Sequence, residues 1–438
     1  MGAQSEPADC NRWMPKRAAW YASNMSELTG ARQAVAHRGR RLEYFTIVWN
    51  SLEGLIAVAA GIVAGSMSLV GFGMDSFIEV TSGATLLWRM SVDADVESRE
   101  RNERLSFRIV GICFVALAGL LSPSAFGQTL KQVTKFDLPG PGGKRFDYLT
   151  IDEDDHYLLS AHLAAGQTYV IDLSTNKVIA TVTDTPGAEG VEYVPELKKF
   201  YTSNAYDNTI GVVDLKWMKV VKKLKTEAKP DGSAYAAPFH KLYVSDERGK
   251  AEAVVDVQKD EIIRTLHFDS ETGMPQYDPI ARKVYVNLQD QNIFAVIDPA
   301  TDEVVGRYPV GRCQGNHGMA LDPEHHRAFL SCEGNEMMAV FDLDKHAPIS
   351  FLQMPGGPDV IKFDPGLGRI YVACYSGAIA IFHEDDPDHY RKLEDFRVQH
   401  AVHSLAVDLK THRVYTPEQE EEGKPVARMV VYEAVTNR

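Results

Sequence analysis

The stretch "KKFYTSNAYDNTIGVVDLKWMKVVKKL" (residues 198–224) decides the fold. Its apolar residues fall in three short runs, 200–204, 209–215 and 219–224, rich in Tyr, Thr, Ile and Val and separated by polar turn residues. Runs of this length, broken by turn chemistry, read as strands joined by tight hairpins. The pattern recurs. Leu159, Tyr201, Tyr243, Tyr285, Phe329, Tyr371 and Tyr415 occupy one phase, spaced 42, 42, 42, 44, 42 and 44 residues apart. The strands that follow ("YVIDL", "GVVDL", "AVVDV", "AVIDP", "AVFDL", "AIFHE", "VVYEA") keep step, with acidic anchors at Asp172, Asp214, Asp256, Asp298 and Asp342. Four short strands per repeat and seven repeats predict an all-β, seven-bladed β-propeller over residues 129–438.

The chain ends offer an independent check. The last repeat, ending "ARMVVYEAVTNR", is one strand short, whereas "LKQVTKFDL" (130–138) precedes the first repeat and matches fourth strands such as "NKVIATV". Pairing that first strand with the last blade closes the ring and removes its open edges. With "FYTSN" at 200–204 and "LYVSD", "VYVNL" and "IYVAC" at the same phase, residues 130–434 resemble the YVTN β-propeller repeat family. The resemblance implies the fold, but that family includes exported proteins and relatives of several enzymes, so it implies no single activity.

One further position repeats in step with the anchors: Asp147, Glu189, Asp231, Gly273, His317, Asp359 and His403. Equivalent positions in a closed ring form a ring themselves, and the first strand of each blade lines the central channel. Asp147, Glu189, Asp231, His317, Asp359 and His403 are therefore the candidate ligand-binding residues at one channel mouth. Their imidazoles and carboxylates suit a divalent metal ion or a cationic ligand. The alternative is that they only start inner strands, bonded to backbone and channel water. His325 and His326, in a turn beside Pro323, read as solvated. The five cysteines show no CxxC spacing; Cys332 and Cys374 share a phase and read as free and buried, not bridged.

The first part of the chain is unlike the rest. Residues 1–128 carry 12 basic and 12 acidic side chains, so the net charge of −14 belongs to residues 129–438. An acidic propeller argues against generic nucleic-acid binding. After a flexible N-terminal segment (1–44), two apolar stretches over 45–90 read as a transmembrane hairpin with cytoplasmic arginine-rich flanks. Within 91–128, "IVGICFVALAGLL" (109–121) reads as a third transmembrane helix or as a signal-peptide core with a cleavage site near Gly127. Either way the propeller is placed outside the cytoplasm, periplasmic or secreted if released.

"GSMSLVGFGMDSFIEVTSG" (65–83) resembles a transmembrane helix of the cation diffusion facilitators, in which an acidic pair supplies half of a divalent-metal site. The resemblance implies metal coordination by Asp75 and Glu79. The family's later helices and cytoplasmic domain have no counterpart in this chain. The leading reading is an exported or membrane-tethered YVTN-type β-propeller, a non-enzymatic binding scaffold fused to a partial transporter segment. A divalent cation transporter and a lactonase-like propeller enzyme are the alternatives. The implied partners are a membrane and a small-molecule or metal ligand, with a protein partner also open.

Overall fold

The structure, a computed structural model, describes residues 39 and 41–60, isolated helical positions between 72 and 87, and residues 128–436. The chain divides into two units, Met1–Ala125 and Phe126–Arg438. In the first, residues 41–60 form a helix carrying Arg41, Glu43 and Glu53. Among the described residues no helix is long and apolar enough to cross a membrane. The transmembrane hairpin expected over 45–90 is therefore not supported; its continuously described part, 45–60, carries Glu53, and the remainder lies largely outside the described residues. The third apolar run, 109–121, lies outside the described residues.

The second unit contains seven four-stranded antiparallel sheets. Blades 1 to 6 cover residues 149–183, 188–225, 230–267, 272–309, 316–353 and 358–397. Blade 7 takes three strands from 406–434 and its outermost strand, Leu130–Asp137, from the start of the unit. That strand pairs antiparallel with Lys424–Ala434, from Leu130 opposite Ala434 to Asp137 opposite Arg428. The closure expected from the missing strand is thus observed.

Apolar clusters lie between neighbouring blades. One joins Tyr201, Ile210 and Val212 of blade 2 to Leu242, Val244 and Val255 of blade 3. The repeat's conserved-phase chemistry has a local explanation. The acidic anchors cap the turn after the third strand: Asp172 accepts from the backbone N–H of Ser174 at 2.8 Å and Asp214 from that of Lys216 at 2.8 Å. In four blades the basic residue two positions before the aromatic anchor reaches the turn of the next blade, whereas Lys283 bonds Asp298 of its own blade at 3.0 Å. Lys199 and Tyr201 both bond Asp260 (2.6 and 2.5 Å), Lys241 bonds Asp302 at 2.7 Å, and Arg369 donates to the carbonyls of Thr129 and Val435. Each seam is held by buried apolar area and a few such polar ties.

Candidate functional site at the channel mouth

Each inner strand of blades 2 to 6 breaks register at the ring position. Ala188 pairs with Asn204, but the next pair is Val191 with Thr202, and the same shift falls between Pro230 and Ser233, Thr272 and Pro275, Asn316 and Met319, and Pro358 and Ile361. Each irregularity brackets one ring residue and its successor, the kind of feature that re-aims side chains near functional sites. The successor is glycine at three positions, and only glycine fits two of them. A Cβ on Gly190 would lie 2.2 Å from the carbonyl oxygen of Asp231, and one on Gly318 would lie 2.2 Å from that of Asp359. Neighbouring inner strands therefore touch at the ring. Middle-strand side chains fix these carbonyls: Ser331 donates to Asp359 O at 2.6 Å, Asn287 to His317 O at 2.9 Å, and Ser245 to Gly273 O at 2.5 Å.

The six side chains expected at the mouth are brought together there. Asp147, Glu189, Asp231, His317 and His403 are buried, and Asp359 is partly so. They form two groups. In one, Arg145 bonds Asp147 at 2.9 Å, with its Nε 3.2 Å from His403 Nε2, and His403 Nε2 lies 3.6 Å from Asp147. His317 Nε2 is 3.4 Å from Asp359 Oδ1 and 3.2 Å from the Tyr148 hydroxyl. Tyr148, from blade 1, shares one apolar cluster with Met274, Met319 and Val360 of blades 4, 5 and 6. With its hydroxyl at His317 of blade 5, Tyr148 reaches across the ring from blade 1. His317 Nδ1 and Asp359 Oδ1 are buried with no hydrogen-bond partner.

In the second group the Lys229 ammonium contacts three carboxylates: Glu189 at 3.4 Å, Asp231 at 3.9 Å and, more closely, Glu247. Lys229 has φ of 50°, a left-handed conformation unusual for a side chain of its length. Its N–H donates to Asn208 Oδ1 at 2.9 Å and its carbonyl accepts from Glu247 N–H at 3.0 Å, which orients it.

Burial, together with Asp231 and Asp147, pushes Glu189 up to about 10 despite Lys229. Burial likewise pushes Asp231 up to about 7. Burial alone would lower His317, but Asp359, Asp231 and Glu247 overcome it and raise the imidazole to about 10. Asp359 stands below the usual carboxylate range because His317, His403 and Arg145 outweigh its burial. The mouth holds more carboxyl groups than permanent cations and balances itself with protons.

Three side chains beside the ring were not legible as site residues. Arg145 and Lys229 each stand two positions before a ring residue, a phase held elsewhere by Gly187, Glu271, Gly315, Gly357 and Ala401. Glu247 follows the middle strand Lys241–Asp246 and shares its phase with Tyr375, which packs against His403 at 5.4 Å between ring centroids. Reading those two phases across the repeats would have found all three. The metal reading of the ring shifts accordingly. Among the described residues, Glu189, Asp231 and Glu247 offer ligand atoms within 4.8 Å of one another, whereas His317, Asp359 and His403 belong to no such group. A metal at the mouth would be held by carboxylates, with Lys229 standing where the ion would sit.

Two other expectations change. Cys332 is bridged to Cys313, with Cα atoms 5.2 Å apart, while Cys374 is free and buried as expected. Cys313 lies in the loop before blade 5, outside the shared phase that drew attention to Cys332 and Cys374. In the first unit Glu79 is exposed and accepts a hydrogen bond from Asn50 of the preceding helix. Asp75 lies outside the described residues. The acidic pair thus gains no support as a metal site.

No family model and no curated protein matches the chain. Among solved structures, it is similar to a chain of "Crystal Structure of Mitotic Checkpoint Complex" (11% identity, covering 70% of this chain and 92% of that one, TM-score 0.60). It is also similar to "Crystal structure of RRP9 WD40 repeats" (10% identity, covering 70% and 99%, TM-score 0.60). At these identities the likeness shows the fold alone. The comparisons support neither a cation diffusion facilitator segment, a transporter nor a lactonase-like enzyme. They agree with the sheets in showing a seven-bladed β-propeller.

Proposed function

We propose that this chain is a binding scaffold whose ligand carries positive charge, as a divalent metal ion or an organic ammonium group, and seats at the channel mouth among Asp147, Glu189, Asp231, Glu247 and Asp359. The observation that carries this reading is the excess of carboxyl groups at a buried mouth. Five of them face two permanent cations, Arg145 and Lys229, and the balance is met by raising Glu189, Asp231 and His317 toward their protonated forms. A bound cation supplies the same neutralisation and releases those protons. Lys229 holds the place of that cation and swings aside when the ligand enters.

Propellers similar in fold stand in structures titled for a complex and for WD40 repeats. This supports a protein partner as one bearer of the positive group, presenting a lysine or arginine at the mouth. The repeat phase supports kinship with YVTN propellers, and the Cys313–Cys332 bridge supports a location outside the cytoplasm.

The test is calorimetric titration of the full chain with Mn²⁺ and, separately, with methylammonium. A Glu189→Gln, Glu247→Gln double variant should bind at least tenfold more weakly. A His317→Ala, His403→Ala double variant reads the imidazole side of the ring. Binding unchanged in the first variant would place the ligand elsewhere.

A further inference from the structure

The inner strands end, five residues beyond the ring, at the other face of the propeller. There Asp152, Asp278, Asp322, Asp364 and Asp408 share one phase. At two seams this Asp meets an imidazole from the next blade: Asp364 Oδ2 lies 2.8 Å from His412 Nδ1, and Asp408 Oδ2 lies 3.1 Å from His156 Nε2. The seam between blades 5 and 6 departs from this rule. The position of His412 and His156 is held there by Gly368, and Asp322 meets Glu384 instead. Both side chains are 4% exposed.

Two buried carboxyl groups in contact cannot both ionise without a cation. The nearby cations are committed elsewhere: Arg327 to Asp342, Asp388 and the carbonyl of Pro387, and Lys345 to Asp342. The group that does reach the pair is His325, whose Nδ1 is 2.6 Å from Asp322 Oδ2 and 3.7 Å from Glu384 Oε1. Ligand atoms from all three lie within 4.8 Å of one another. His325 is half exposed and lines a groove of ≈ 390 Å³ with Glu324, His326, Arg327, Asp344 and Pro387.

We propose that Asp322, His325 and Glu384 form a divalent metal site, for a first-row ion of the zinc or manganese class, on the face opposite the channel mouth. Two carboxylate oxygens and one imidazole nitrogen are a donor set such ions accept, and three protein ligands leave a position for water on the groove side. The Tyr390 hydroxyl lies 3.0 Å from Glu384 Oε1 and 2.9 Å from the carbonyl of Pro387, and so positions the carboxyl from outside the ligand set. Burial and the neighbouring Asp322 push the Glu384 carboxyl up to about 7. The site is independent of the channel mouth: it lies at the far end of strand Asn316–Asp322 and uses none of the ring side chains.

The experiment uses Co²⁺ as a spectroscopic probe of the full chain. One equivalent should give a visible ligand-field spectrum that Zn²⁺ abolishes. His325→Ala and Glu384→Gln should each lose it, while the ring double variant Glu189→Gln, Glu247→Gln keeps it. Tyr390→Phe should weaken uptake about 10- to 100-fold. The exposed position of His325 makes His325→Ala a variant that folds, checked by its melting curve. The proposal is overturned if the wild type gives no Co²⁺ spectrum, if His325→Ala retains it, or if the ring double variant loses it instead.

Discussion

Removing the side chain of Leu130 tests how the ring is held shut. Leu130 is fully buried, in one cluster with Tyr371, Ile379, Ile381, Leu405, Val414 and Tyr432, and it sits on the strand that completes blade 7. The cluster therefore joins the first strand of the propeller to blades 6 and 7. Leu130→Ala removes three carbons from a site framed by two sheets that cannot collapse onto the gap. The large end of the usual range applies, about 3–4 kcal/mol. With an unfolding entropy of about 2.1 cal/mol/K per residue over roughly 310 residues, that lowers the melting temperature by ~5–6 °C. The control is Val133→Ala on the same strand: Val133 is 38% exposed, so less than about 1 kcal/mol is expected. Thermal unfolding of the full chain, followed by circular dichroism, reads both. If Leu130→Ala melts within 1 °C of wild type, or if Val133→Ala costs as much, the strand does not clamp the ring in the way described.

Three further outcomes follow from the geometry. Replacing Cys313 and Cys332 by Ser should cost about 3 kcal/mol, since the bridge closes a loop with sequence separation 19, and a reducing agent should destabilise the wild type but not the variant. Gly190→Ala should cost at least about 1–3 kcal/mol by forcing a methyl group against the Asp231 carbonyl, measurable by urea unfolding. For pH, Glu189 and His317 both have folded values raised to about 10, so the folded state binds more protons than the unfolded chain below that value. Stability linked to either group falls as pH rises toward 10, from about 4.5 for Glu189 and about 6.5 for His317. Glu189→Gln should therefore gain stability relative to wild type as pH rises. His317→Gln should lose most below pH ~6.5 and least near pH 10, and parallel wild-type and variant profiles would refute the assignment.

The phases visible in the sequence carried the fold because a closed ring converts one repeat position into one place in space. That is why Asp147, Glu189, Asp231, His317, Asp359 and His403 could be gathered from spacing alone, and why "LKQVTKFDL" announced the closing strand. The same logic explains what stayed hidden. Arg145 and Lys229 are the cationic members of a loop phase otherwise held by Gly187, Glu271, Gly315, Gly357 and Ala401, so they stand out only once that phase is read across all seven repeats. Tyr148 matters because it crosses the ring, a property of the assembled circle and not of its blade. His325 read as a solvated turn residue because the carboxylate that gives it chemistry, Glu384, belongs to the next blade.

Departures from the repeat are therefore more informative about function than the repeat itself. The repeat specifies what most blades share in order to fold: an aromatic anchor in six of seven, a basic residue two positions before it, and an acidic turn cap in the first five. Where one blade breaks the rule, the fold gains nothing, and another use must account for the residue. Gly368 in place of an inter-blade histidine leaves Asp322 facing a second carboxylate, at a cost in buried charge that neighbouring seams avoid. Lys229 departs in the same sense, placing a long cation in a left-handed position where Gly187, Gly315 and Gly357 serve other blades. These two breaks mark the two carboxylate-rich clusters of the propeller, at opposite ends of its inner strands.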